Sequence, residues 1–405
     1  MNKKSIMIVG PALSRSGYGE QTRFAIESLK RSRKYDLFLY NTGWGNSNWL
    51  PHNDSSRNFV DKLIKKTVNL KPEFRADISL QVGMPSDFKL YSEINIGYTA
   101  AAETDKVDRE WLVSANMMSG LITPSNHSKS SFKNSKYGDL KLTTDCKVVN
   151  FPYTLNRHTS DNVKSPRMLK LLNETATKYN FLSVSQVSPR KNIYNLIAWF
   201  LQEFGHHADK SLYLKLHRKD CSTIDRVETM EKVRLYANQV LPNRKCGLHL
   251  IHGDLPQSEL CTLYQSGHIT HYLNTSHGEG FGLPLFDAAA SGLVIVSHIW
   301  SGEADYLEGN NIALVPHSVE KVSPSAIWPG VINADASWAK ISKKSFRSTL
   351  ADSVQNYEFF KKKAKILSRK VKKKFTIEKQ SFIFNQSIED IIKKGEKIYV
   401  KQNNY

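Results

Sequence analysis

The sequence predicts an α/β protein of two doubly wound domains, each a parallel sheet covered by helices on both faces, with further helices at the C-terminal end. Three observations carry this. Strand and helix patterns alternate twice along the 405 residues, as they do in parallel sheets with crossover helices. A polar stretch at 154–164 separates the two series. Each series also opens with a strand running into a loop suited to an anion, glycine-rich in the first half and basic in the second.

In the first half the strands are 5–10 (SIMIVG), 36–41 (DLFLYN), 76–83 (ADISLQVG), 94–101 (INIGYTAA) and 119–125 (SGLITPS), with helices at 20–31 and 108–118 between some of them. A Ser/Lys/Thr-rich region at 126–146 loosens the pattern before a short apolar piece, VVNFPY, at 148–153. The second half restarts with strands at 181–187, 211–217, 247–253, 269–275, 293–298 and 312–317, and helices at 192–204, 225–239, 257–266 and 284–290. Beyond about 345 only helix is expected, ending in FIFNQSIEDIIKK. The domains are therefore placed at 1–152 and 179–345, with a linker at 153–178 and basic helices at 346–405 packing back toward the first domain. Ligands of such folds sit outside the carboxyl ends of the strands, here in a cleft where the two domains face each other.

Hydrophobic residues make up 40% of the chain, which excludes a disordered protein. No apolar run reaches the roughly 18–20 residues that span a bilayer. The opening MNKKSIMIVGPAL has an apolar part about half the length a signal peptide needs, and reads as a buried first strand. Cys146, Cys221, Cys246 and Cys261 form no CxxC pair and no metal-ligand spacing, as expected of reduced thiols in the cytoplasm, a host's cytoplasm if the protein is viral.

Charge is the unusual global feature. Lys and Arg number 57 against 38 Asp and Glu, giving +19. The run KKKAKILSRKVKKK at 361–374 holds nine basic residues and no acid, yet without it the balance is still 19 − 9 = +10. The excess is spread over the protein, and it favours polyanions: nucleic acid, an anionic membrane surface or a phosphorylated substrate. A solvated lysine-rich helix face is the plain alternative.

Three motifs carry chemistry. GPALSRSGYGEQTR follows the first strand, where a glycine-rich turn lets backbone N–H groups approach an anion at a helix's positive end. Gly17 and Gly19 resemble part of a dinucleotide fingerprint, but Thr22 stands at the third glycine position and the spacing is too long, which disfavours a nicotinamide enzyme. SQVSPRKNIYNLIAWF sets Arg190 and Lys191 at a helix mouth, where cations and amides together neutralise a diphosphate. In SHGEGFGLPLFDAAASG, Gly278, Gly280 and Gly282 permit backbone close to a ligand, and Pro284 suits the first helical turn. Glu279 and Asp287 accept hydrogen bonds at both oxygens, which fits sugar hydroxyls and a ribose diol. The structural alternative is a capped turn, with Asp287 complementing the helix dipole.

EGFGLPLFD resembles the E-x7-E signature of retaining nucleotide-sugar glycosyltransferases of the GT-B fold, the large family-four group. GYTAAAETDKVDREWLVSANMMSGLITPSNHSKSSF is similar to that family's acidic turn, tryptophan helix and "PS" strand end. VVNFPY resembles its interdomain crossover, PRKN its diphosphate loop, and SGEADYL and ASWAK later segments of it. The likeness spans about residues 5 to 345. It implies that Glu279 contacts the transferred sugar, that the amides of Gly280, Phe281, Gly282 and Leu283 hold sugar and phosphate, that Asp287 holds the ribose and that Lys191 neutralises the diphosphate. Gly17 and Gly19 would line the cleft from the opposite domain, and Glu103 and Asp105 fall in the turn that carries a catalytic-side polar residue. Three departures stand out: Asp287 replaces a glutamate, Ser185-Gln186 replaces Gly-Arg so that Arg190 substitutes for the missing cation, and Ala100 to Glu103 lack the histidine of many relatives.

The resemblance implies retention by front-face attack, the departing diphosphate taking the acceptor's proton. A retaining hydrolase would instead need two carboxylates about 5 Å apart. The chain has no Asp-x-Asp, so no metal and no cofactor are expected, only a nucleotide-diphosphate sugar donor, a UDP-sugar foremost. The acceptor expected from the charge is DNA bearing hydroxymethylated pyrimidines. Assembly of glycolipid, lipopolysaccharide or surface polysaccharide at an anionic membrane is the alternative, through FVDKLIKKTVNLK or the 361–374 run. A non-catalytic nucleic-acid-binding protein on a degenerate transferase fold is the third reading. The intact loop with Glu279 and Lys191 opposes it.

Overall fold

A computed structural model describes residues 3–51, 57–100, 102–153, 155 and 164–403. Most of the expected linker core, 154 and 156–163, and Ala101 in the acidic turn lie outside the described residues. The chain divides into two units, Met1–Pro152 with Ile327–Ala336 and Phe375–Tyr405, and Tyr153–Ala326 with Ser337–Lys374.

The first unit contains β1 (Ser5–Gly10), α1 (Gly17–Ser32), β2 (Asp36–Asn41), α2 (Arg57–Val68), β3 (Ile78–Val82), β4 (Ile94–Tyr98), α3 (Arg109–Asn116), β5 (Gly120–Thr123), α4 (Asn126–Asn134), the short hairpin β6 (Lys136–Tyr137) and β7 (Leu140–Lys141), and β8 (Cys146–Val148). Its sheet runs β2-β1-β3-β4-β5-β8, parallel throughout. Ile6 and Ile8 of β1, Ile78 and Leu80 of β3 and Ile96 of β4 are fully buried. Branched side chains pack well on a sheet covered on both faces.

Two helices here were not expected from the sequence. α2 buries only Arg57, Val60 and Leu63 and exposes Lys62, Lys65 and Lys66, so its apolar stripe is narrow. α4 hides its pattern differently: Ser128 and Ser131 are buried beside Phe132, with hydroxyls bonded to local backbone or side-chain oxygens. Serine at a core position erases the hydrophobic period without costing an unsatisfied group.

The second unit contains α5 (Pro166–Thr175), β9 (Tyr179–Gln186), α6 (Ile193–Phe204), β10 (Lys210–His217), α7 (Thr223–Val240), β11 (Gly247–His252), α8 (Gln257–Gln265), β12 (His271–Leu273), α9 (Leu283–Ser291), β13 (Val294–Ser297), β14 (Ala313–Leu314), the antiparallel pair β15 (His317–Lys321) and β16 (Ser337–Ile341), α10 (Lys343–Gln355) and α11 (Tyr357–Lys374). Its parallel sheet runs β11-β10-β9-β12-β13-β14. This is the doubly wound order that reverses between its first and fourth strands, here β9 and β12, the place where such sheets bind ligands.

The C-terminal helices divide between the units, where a single block from 346 was expected. α10 and α11, with the basic run, belong to the second unit, and α11 buries Ala364, Leu367 and Val371 on the side facing α9 and β13. The last helix, α12 (Ile377–Asn403), belongs to the first unit. Its Phe384 meets Phe24 of α1 and Tyr98 of β4 with ring centres 5.6 and 5.5 Å apart. At Gly120 a Cβ would stand 2.5 Å from Ile391, so only glycine lets α12 lie this close to β5. Among the described residues no helix is long and apolar enough to cross a membrane.

Candidate functional site

Two loops meet at the reversal of the second sheet. After β9 a single turn, Pro189–Lys191, leads through Asn192 into α6, with Asn192 left-handed at φ 56°. After β12 the loop 274–282 leads into α9, and Gly282 turns the chain at φ 83° with Pro284 in the first helical turn. Positive φ suits glycine there, and the proline gives up an amide that the helix does not need. The loops are tied to each other: Thr275 Oγ1 donates to the Lys191 and Asn192 carbonyls at 3.3 Å each, and the His277 amide donates to the Arg190 carbonyl at 2.8 Å.

These ties bring together Glu279, Lys191 and Arg190. Lys191 Nζ donates to Glu279 Oε1, and Arg190 Nη1 lies 3.3 Å from Glu279 Oε2 while donating to the Gly278 carbonyl at 2.7 Å. Burial alone would push the Glu279 carboxyl up. The charges of Lys191 and Arg190, helped by hydrogen bonds from Lys191 and Ser276, outweigh it and hold the carboxyl down at about 2. Glu279 is thus ionised, an acceptor at both oxygens. A small pocket opens beside it, with Ser183, Ser185, Lys191, Asn274, Gly282 and Pro284 among its walls.

The other residues expected here fall as follows. Phe281 is buried, packing on Phe286 and Tyr306 at 5.0 and 5.1 Å, so its ring serves the core and only its backbone is available to a ligand. Gly280, Gly282 and Leu283 form the entry to α9, where helix amides favour negative charge. Asp287 is half-buried on the second turn of α9 and is not part of the pocket wall. Of the hydroxyl and amide residues of the wall, Ser183, Asn274, Thr275 and Ser276 were not singled out from the sequence, and Ser185 stood out only as a departure from Gly-Arg. Their only signal was position, after the strands on either side of the reversal.

In the first unit, Gly17 and Gly19 open α1. Ser16 caps that helix by accepting the Gly19 N–H at 3.1 Å. A Cβ on residue 19 would stand 1.9 Å from the Ser14 carbonyl oxygen, whereas residue 17 has open space. Between them Tyr18 bonds Thr99 at 3.0 Å and packs on Trp44 at 4.2 Å. Burial, chiefly, pushes its phenol up, with the charge of Glu103 adding to the effect. The structure therefore brings the Gly17–Gly19 turn close to Glu103, just beyond β4. Glu103 follows Ala102, buried at φ 120°, a conformation that side chains rarely adopt. Asp105 lies two residues further on, beside Lys106, which pairs with Asp335 at 2.6 Å.

No protein-family model matches the chain, and no curated protein sequence does either. Solved structures are similar over nearly all of it. Sucrose-phosphate synthase from Thermosynechococcus elongatus superposes with a TM-score of 0.64 at 12% identity, covering 96% of this chain and 99% of that one. A glycosyltransferase from Rickettsia africae gives 0.63 at 13%, covering 97% and 99%. Anabaena HepE in complex with UDP-glucose gives 0.62 at 13%, covering 95% and 99%. The fold is that of these proteins: GT-B, two Rossmann-like parallel-sheet units with C-terminal helices.

Proposed function

We propose that the chain is a glycosyltransferase moving a sugar from a UDP-sugar to an acceptor hydroxyl, with retention of configuration and without a metal ion. The observation that supports this best is the grouping of Glu279 with Lys191 on a pocket at the strand-order reversal, with Arg190 paired to Glu279 beside it. Structures of HepE with UDP and with UDP-glucose support uridine as the nucleoside. In this reading Glu279 accepts from hydroxyls of the transferred sugar, the backbone of residues 280–283 holds sugar and phosphate, and Asp287 holds the ribose. The acceptor oxygen bonds to the anomeric carbon as the bond to the diphosphate oxygen breaks, and that oxygen takes the acceptor's proton. Negative charge grows on the diphosphate, where Lys191, Arg190 and the amino end of α9 stabilise it.

Those cations supply the neutralisation that a divalent metal would otherwise give. Transfer should therefore persist in EDTA. Activity abolished by EDTA and restored by Mg²⁺ or Mn²⁺ would count against this reading. Determining the anomeric configuration of the product by NMR tests retention.

For the acceptor we propose hydroxymethylated pyrimidines in DNA, on the net charge of +19 carried through both halves of the sequence. In this reading Gly17 and Gly19 serve the donor from the first unit, and Glu103 and Asp105 belong to the catalytic side. A panel of UDP-sugars offered with hydroxymethylated DNA, or with anionic lipid acceptors, distinguishes the two readings of that charge. Transfer to lipid alone would remove the DNA assignment.

A further inference from the structure

The loop carrying Glu279 is held from behind by residues outside the pocket wall. The Glu279 amide donates to Ser301 Oγ at 2.8 Å, and its carbonyl accepts the Gly302 N–H at 2.9 Å. Ser301 Oγ donates to Glu303 Oε2 at 2.5 Å. The other oxygen of Glu303 accepts the Trp300 N–H at 3.4 Å and stands 3.3 Å from His298 Nδ1 without a hydrogen bond between them, while His298 Nε2 donates to the Ser276 carbonyl at 2.6 Å. A carbonyl only accepts, so Nε2 carries a proton. One hydrogen-bonded thread thus runs from the carboxylate through Ser301 to the Glu279 amide, and His298 separately holds the Ser276 end of the segment 276–279. Glu303 and Ser301 are 0% exposed and His298 is 1% exposed. Contact is close enough to transmit any shift, since a Cβ at residue 302 would stand 2.2 Å from the Gly280 carbonyl oxygen.

Packing alone does not account for a carboxylate at this depth. A buried acid is costly unless its hydrogen bonds are made, and apolar residues would fill the space at less cost. What Glu303 adds is direction, because one oxygen accepts from the Ser301 hydroxyl and the other from the Trp300 amide. We infer that Glu303 is a positioning residue for the sugar end of the donor: through Ser301 it sets where the Glu279 carboxylate stands. Lys191 holds its place from the turn that precedes α6, so the hold on the diphosphate depends on this buried acid far less. The inference rests on the sugar-transfer reading above.

The test separates nucleotide from sugar. In Ser301→Ala, UDP affinity measured by calorimetry should stay within about three-fold of wild type, while kcat and the extra affinity of UDP-sugar over UDP fall by about ten-fold. Glu303→Ala should do the same. Glu303→Gln, which keeps an oxygen to accept from Ser301, should recover part of the loss. A lower Tm with unchanged kcat and unchanged sugar increment would overturn the inference, leaving Glu303 a packing residue. Hydrogen exchange needs no donor: amides of 276–282 should exchange about ten-fold faster in Ser301→Ala, and unchanged exchange also overturns it. Faster exchange in a protein whose wild type binds no UDP-sugar would keep the hold on the loop and remove the donor reading instead.

Discussion

Glu279→Gln tests the charge balance at the site. The Glu279 carboxyl sits at about 2 in the folded chain against an ordinary 4.5. At 1.36 kcal/mol per unit, that difference makes ionised Glu279 contribute about 3 kcal/mol of stability at neutral pH. The folded value is depressed, so the contribution is fully present above 4.5 and is lost as pH falls through about 2. At pH 3 about 1 kcal/mol should remain. Glutamine keeps the shape and an acceptor oxygen but not the charge. Removing the counter-charge facing Lys191 and Arg190 adds a cost that acidity hardly alters, since both cations are already charged at pH 7. The stability gap between wild type and variant should therefore narrow by about 2 kcal/mol between pH 7 and pH 3. Urea unfolding at several pH values, followed by fluorescence and compared at equal m, measures it. A gap that stays flat across this range refutes the ion-paired state of Glu279.

Lys191→Met should weaken UDP binding by about ten- to a hundred-fold, read by calorimetry, because a charge-assisted contact to the diphosphate is lost; unchanged affinity would detach this lysine from the donor. Burial holds the His271 imidazole at about 3, where it stacks on Phe181 at 4.6 Å. Below 6.5 the unfolded chain takes a proton that the folded chain refuses, so wild type should lose about 2 kcal/mol between pH 7 and pH 5, and His271→Phe should lack that slope. Gly302→Ala should cost about 2–4 kcal/mol and displace the Glu279 loop, its Cβ meeting backbone at 2.2 Å. Gly17→Ala, with open space around it, should change stability by less than about 1 kcal/mol, as the same denaturation curves will report.

The second unit was the more legible half. Its strands are short stretches rich in branched and aromatic residues, so β9 to β13 stand close to where the pattern put them. The grouping of Glu279 with Lys191 and Arg190 was readable because both loops follow strands that neighbour each other at the sheet reversal. What escaped has a physical reason in each case. β15 is exposed at every position and so shows no alternation of burial. Ser301, Glu303 and His298 act through hydrogen bonds rather than hydrophobicity, and no period marks them. The division of the C-terminal helices was hidden because α11 and α12 present similar lysine-flanked apolar stripes. Only their packing partners tell them apart.

The return of α12 has a consequence for how the chain comes into being. The first sheet is synthesised within the opening 152 residues, yet Phe384, Ile388 and Ile391, all 0% exposed, close the core over α1, β4 and β5. At roughly 5–20 residues per second, those side chains follow some 10–45 s later. Meanwhile the nascent first unit presents to the cell the apolar face that α12 will cover. The second unit, finished at Lys374, can mature before the first. Birth order and folding order are thus reversed, and a stop near residue 375 would damage the earliest-made unit while sparing the later one.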